Sequence, residues 1–212
     1  MEKKNLHISY KATYYKIGNL NSSTKKIWII FHGYGQLADA FAASFTPLVA
    51  DDTCLLFPQG LSKFYLKGID KKIGANWMTA HDRDLDIENY ISYLNRLVDM
   101  EVKQFSHHID LNILGFSQGG HTASRWIYHS NIQYQKLILW GTSLANEIDG
   151  KCTEQFFSHG KNIIILGDQD KYIDEEQLQK VKAHYAKIGF KYQLVEYHGG
   201  HDIYPELLSS FI

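Results

Sequence analysis

The sequence predicts an α/β protein: a mostly parallel central sheet with helices on both faces and no separate lid domain. Two observations carry that expectation. Six short runs of aliphatic and aromatic residues alternate with longer segments of helical period, and the runs show no polar alternation, as strands covered on both faces should not. A third observation concerns extent. Only three prolines, Pro47, Pro58 and Pro205, punctuate 212 residues, and no stretch has linker composition, so residues 1–212 are expected to form a single domain.

Taken in order, His7–Ile17 partly alternates and ends in Gly18-Asn19-Leu20-Asn21-Ser22-Ser23, the pattern of an antiparallel edge strand followed by a turn. Ile27–Phe31 and Thr53–Phe57 are the first buried strands. Pro58–Arg83 has neither period; Pro58, Gly60, Gly68 and Gly74 mark it as a largely irregular loop, and long loops in compact domains often border a functional site. Asp84–Phe105 places Ile87, Ile91, Leu94, Val98, Val102 and Phe105 at three- and four-residue steps, with Asp84, Asp86 and Glu88 at the positive end of the helix dipole. Asp110–Gly115 is the next strand, and His121–Tyr128 continues from it as a helix. Lys136–Trp140 and Asn162–Leu166 follow as strands. Asp174–Ile188 is helical through Leu178, Val181, Tyr185 and Ile188, with Gly189 as its stop. Lys191–Tyr197 is the last strand.

Composition narrows the function classes. With 22 Lys+Arg against 23 Asp+Glu the net charge is −1, which argues against nucleic acid and anionic membrane as main partners. No segment approaches the roughly 20 apolar residues a membrane span needs, and the start does not lead into a signal-peptide core. Cys54 and Cys152 have neither metal nor disulfide-framework spacing, so a cytoplasmic address is expected. The 11 histidines invite a metal reading. No His-Glu-x-x-His occurs, however, and His198-Gly199-Gly200-His201 is too glycine-rich for a helical pair of ligands, so no metal site is expected.

One constellation carries chemistry. Strand Asp110–Gly115 leads into Phe116-Ser117-Gln118-Gly119-Gly120, a G-x-S-x-G in strand, sharp turn, helix context. Such a turn raises the serine on a strained backbone above a helix whose amides point at negative charge developing on an acyl group. An activated serine needs a base, and the base needs an orienting carboxylate, both from the ends of later strands in the order Ser, Asp/Glu, His. Two candidates stand at each place. Asp168 and Asp170 follow one strand; Asp168 is suited to shaping its own loop and Asp170 reaches further, so Asp170 is preferred. His198 and His201 follow the last strand, and His201 is preferred because two glycines let the chain turn back across the sheet. An oxyanion hole takes one main-chain N–H from the residue after the nucleophile and one from the loop after an early strand, here Gln118 and Tyr34 of His32-Gly33-Tyr34-Gly35. The same loop, Gly33-Tyr34-Gly35-Gln36-Leu37-Ala38, also fits G-x-G-x-x-A. A dinucleotide site would require an acid at the end of the next strand, where Pro58-Gln59-Gly60 stands instead.

These residues resemble the serine α/β-hydrolase superfamily. Within it, His32-Gly33-Tyr34-Gly35 and Gly115-Phe116-Ser117-Gln118-Gly119-Gly120 are similar to the phospholipase/carboxylesterase family, which includes acyl-protein thioesterases and small bacterial carboxylesterases. The resemblance implies cofactor-free hydrolysis of small acyl esters or thioesters, with Ser117 as nucleophile, His201 as base and Asp170 as orienter. It also implies a substrate-binding place for Trp77, which resembles the tryptophan that members carry near the acyl site. Phe64, Tyr65, Leu66 and Met78 beside it either line an acyl pocket or staple the loop to the core. The chain departs from the family pattern at Lys171-Tyr172-Ile173, where a short apolar stretch with proline is usual, and at His121, where a small residue is usual. The alternatives are a silent scaffold of this fold that binds a small molecule or partner, and a peptidase or acyltransferase on the same triad.

Overall fold

The computed structural model describes residues 1–66 and 72–211. Seven strands form one sheet in the order β1 (Tyr14–Ile17), β3 (Thr53–Pro58), β2 (Lys26–Phe31), β6 (Asp110–Phe116), β7 (Lys136–Trp140), β8 (Lys161–Gly167) and β9 (Gln193–Tyr197). Only β1 runs antiparallel to its neighbour; every other pairing is parallel.

Period-two packing explains why these strands read as unbroken apolar runs. In β2, Ile27, Ile29 and Phe31 face one core and Trp28 and Ile30 the other, and all five are fully buried. The first core is roofed by α2 (Arg83–Glu101), α3 (Gln118–Ser130) and α5 (Glu175–Ile188), which contribute Leu94, Trp126 and Tyr185. The second is closed by α1 (Ala38–Ala43) and α6 (Pro205–Leu208), through Phe41 and Leu208. Caps set the ends of α5. Asp174 and Gln177 form a reciprocal capping box, and Gly189 closes the helix in the left-handed region at φ 69°.

Sequence and structure differ in places with physical causes. The edge strand covers only Tyr14–Ile17, where β3 offers partners; ahead of it the Thr13 carbonyl still accepts from Gln59 N–H at 3.0 Å, and among the described residues no ladder pairing reaches further back. Segment 58–83, read as irregular, contains an antiparallel hairpin, β4 (Ser62–Tyr65) with β5 (Ile73–Asn76). Four-residue strands carrying Gly74 and Asn76 have little strand propensity, and tertiary contacts hold them instead. Gly68 lies outside the described residues. Helices α1 and α4 (Gly150–Phe156) span two turns or fewer, too short for a period to show. α2 stops at Glu101, and Val102 and Phe105 return to the core from beyond it.

Topology places the site. From β2 the chain passes through α1 to β3 on one side, whereas from β6 it passes through α3 to β7 on the other, over the opposite face of the sheet. The order therefore reverses between β2 and β6, whose ends are in register at Phe31 and Gly115. Such a switch point leaves an uncovered crevice beyond the carboxyl ends of the strands.

Candidate active site

Ser117 stands at that crevice, between β6 and α3, with φ 53° and ψ −122°. A non-glycine residue there costs on the order of 1–3 kcal/mol, which the surroundings must hold in place. They do so from both sides. The Ser117 N–H donates to the Trp140 carbonyl of β7 at 2.9 Å, and its own carbonyl accepts from Gly120 N–H at 3.0 Å. A Cβ on Gly119 would lie 2.4 Å from the Phe31 carbonyl oxygen, and one on Gly115 would lie 2.4 Å from the Gly120 Cα, so α3 can start this close to β2 and β6 only with glycines. Ser117 precedes α3, yet its hydroxyl makes no capping bond, which leaves Oγ directed to other work.

The turn after β2 is tied down on either side of Tyr34. Gly33 N–H donates to Gln36 Oε1 at 2.7 Å, and Gly35 N–H donates to the Ala75 carbonyl of β5 at 2.8 Å. Among the described residues neither the Tyr34 N–H nor the Gln118 N–H has a protein acceptor. The Gln118 side chain is clamped by the hairpin's exit: Oε1 accepts from Trp77 N–H and Nε2 donates to the Met78 carbonyl. Behind the turn lies His32, fully buried. Its Nε2 accepts from Gly60 N–H at 3.0 Å, so the ring proton sits on Nδ1 and is donated to the Gly33 carbonyl at 2.8 Å. Burial pushes its pKa down to about 4, against a smaller opposing pull from the Gly33 carbonyl.

The two acid and two histidine candidates sort into pairs. Asp170 Oδ2 lies 2.6 Å from His201 Nδ1, and Oδ1 accepts from Tyr172 N–H at 2.9 Å. The Asp170 side chain is fully buried, and that of His201 is 13% exposed between Phe116 and Tyr172. Asp168 instead meets His198 Nδ1 at 3.0 Å and accepts from Gly199 N–H, with both side chains largely in solvent. Gly141 sits against the His201 ring, where a Cβ would approach Cε1 to 2.9 Å. Among the described residues no hydrogen bond joins Ser117 Oγ to His201, whose Nδ1 is held by Asp170.

Ser117, Gln118, Tyr34 and His201 line one cavity of about 1020 Å³ that continues between α5 and the strands β8 and β9, past Leu166, Val181 and Leu194. No described residue of segment 58–83 lines it, Trp77 included. That indole is 2% exposed, stacks on His32 at 5.0 Å and donates from Nε1 to the His32 carbonyl, so it braces the turn. Phe64 packs on Tyr34, while Tyr65 and Leu66 are exposed. Sequence reasoning missed the cavity's polar wall, Gln36, Thr142, Ser143 and Asn146. The only signal was position: Gln36 lies in the turn after β2, and Thr142, Ser143 and Asn146 follow β7 at its carboxyl end, beside His121. Arg125 is buried against Glu147 at 2.5 Å and anchors this wall to α3; although burial alone would raise it, the pKa of Glu147 is held down at about 2 by Arg125.

The profile described as phospholipase/carboxylesterase matches residues 12–212. No curated protein sequence matches the chain. Among solved structures, it is similar to esterase PE8, at 18% identity and a TM-score of 0.69 with 95% of this chain and 98% of that one covered. Acyl-protein thioesterase 2 of Zea mays follows at 13%, 0.68, 94% and 96%. A Bacillus cereus carboxylesterase gives 11%, 0.64, 94% and 91%. At such identities the likeness carries the α/β-hydrolase fold alone.

Proposed function

The chain belongs to the phospholipase/carboxylesterase family, and from that premise we propose that it is a serine hydrolase that cleaves small carboxylic esters or thioesters through an acyl-enzyme on Ser117. The observation that carries the reading is the buried Asp170 bonded at 2.6 Å to a His201 that shares one cavity with Ser117. Asp170 accepts the Nδ1 proton of His201 and so keeps the Nε2 lone pair available, as a general base requires. His201 takes the Ser117 proton as Oγ attacks the carbonyl carbon, and the N–H groups of Tyr34 and Gln118 stabilise the oxyanion. His201 then protonates the leaving alcohol or thiol. Water, deprotonated by the same imidazole, hydrolyses the acyl-enzyme and frees the acid.

The two oxyanion donors act through the main chain, so what surrounds them determines their strength. Losing one such donor should cost roughly 10²–10³ in turnover. The chain is proposed to work as one catalytic unit, with 58–83 bordering the oxyanion turn. A panel of esters, thioesters and amides with graded acyl chains, read by mass spectrometry, tests the substrate class. Turnover of p-nitrophenyl butyrate is expected in the wild type and lost, by at least 10³-fold, in Ser117→Ala. Equal turnover in the two proteins would refute the assignment.

A further inference from the structure

His121 lies four residues after Ser117 on α3 and lines the same cavity, at a position where the resemblance led us to expect a small side chain. Its Nε2 is 3.3 Å from Ser143 Oγ, and Ser143 spends its single hydroxyl proton on the Leu144 carbonyl at 3.1 Å. With that proton committed to the shorter of the two contacts, the hydroxyl oxygen accepts and His121 donates from Nε2. A neutral imidazole protonated there has a lone pair on Nδ1, and among the described residues no protein group donates to it. The ring stays neutral because burial, reinforced by the Arg125 guanidinium one turn further along α3, pushes its pKa down to about 4; Glu147 on the adjoining loop opposes this more weakly. Deeper in, the cavity is walled by Ile164, Leu166, Val181 and Leu194. In a largely apolar pocket the few polar groups are those that orient the ligand. A plain acyl chain would be served as well by alanine or leucine at position 121.

We propose that His121, its tautomer set by Ser143, forms a specificity subsite that accepts a hydrogen bond from a hydroxyl or N–H carried by the substrate close to the scissile carbonyl. The inference rests on Ser117 being the nucleophile, since that fixes where the scissile carbonyl lies. Asn146 and Thr142 face the same cavity and supply further polar contacts.

Matched ester pairs test it. One arm compares methyl 3-hydroxybutanoate with methyl 3-methylbutanoate, placing the donor on the acyl side. The other compares 2-hydroxyethyl butanoate with propyl butanoate, placing it on the alcohol side. The wild type is expected to favour the hydroxylated member in one arm by about tenfold in kcat/KM, the worth of a good hydrogen bond. His121→Leu should bring that ratio near unity. His121→Gln, which keeps an acceptor, should retain part of it, and Ser143→Ala should reduce it by freeing the tautomer. Should His121→Leu fail to fold by circular dichroism, the last two variants decide. A wild type labelled by a fluorophosphonate at Ser117 yet indifferent in both arms would overturn the subsite, as would a preference surviving in His121→Leu, or in both His121→Gln and Ser143→Ala undiminished. A folded wild type that takes no label would overturn the nucleophile itself, and the subsite with it.

Discussion

Ser117 and His32 are both held in states they would not adopt alone, and each state is measurable. At φ 53° the Ser117 backbone strains any residue bearing a Cβ, so Ser117→Gly is predicted to be more stable than Ser117→Ala by about 1 kcal/mol in urea unfolding. Equal midpoints would show that the elbow stores no strain. For His32, a pKa of about 4 in the fold against 6.5 unfolded means that the unfolded chain binds more protons between those values. Stability is then complete above pH 6.5 and falls as pH drops toward 4, with His121 adding in the same direction. Between pH 6.5 and 5 this precedes protonation of Glu147, whose pKa of about 2 puts its loss lower. Unfolding free energy should drop by at least about 1 kcal/mol over that interval, and a flat profile would contradict the buried neutral rings. That Ser117, His201, Tyr34 and Gln118 stand around one cavity was legible in the sequence because strand, turn and glycine pattern place them locally. The choice between Asp168 and Asp170 was not, since it depends on which carboxylate is buried against a histidine thirty residues away.

At the scale of elements, the β4–β5 hairpin braces the Tyr34 turn and the Arg125–Glu147 pair holds the wall that follows β7. Gly74 packs so closely on the turn that a Cβ would lie 2.4 Å from the Gly35 carbonyl oxygen. Gly74→Ala must therefore move the turn that carries the Tyr34 N–H, and is predicted to lower kcat for p-nitrophenyl butyrate by about 10–100-fold with an unchanged circular dichroism spectrum. An unaltered rate would mean that the hairpin does not hold the turn. Arg125→Met leaves Glu147 with only the more exposed Arg83 as a partner and should cost about 1.5–3 kcal/mol in chemical denaturation. Neither support could be read from sequence: the hairpin strands are short and weakly patterned, and a buried arginine is unremarkable on a helix until its partner is seen. Trp77 shows the same limit. Its position in a long aromatic loop suggested a pocket wall, whereas its indole N–H is committed to the His32 carbonyl.

For the whole molecule, two cores on either side of one sheet leave a crevice where strand order reverses, and the strand ends β2, β6, β7, β8 and β9 bring distant residues to it. The alternation of apolar runs and helical periods made this architecture predictable, because strands buried on both faces have no polar face to obscure them. The cavity was not predictable, since its depth comes from how α5 lies over β8 and β9. The most direct test of the account is intact-mass and peptide mapping of the folded protein after brief exposure to p-nitrophenyl butyrate or a fluorophosphonate. The predicted result is a single stoichiometric adduct on the peptide carrying Ser117, absent from Ser117→Ala; an adduct elsewhere, or none on folded wild type, would contradict it.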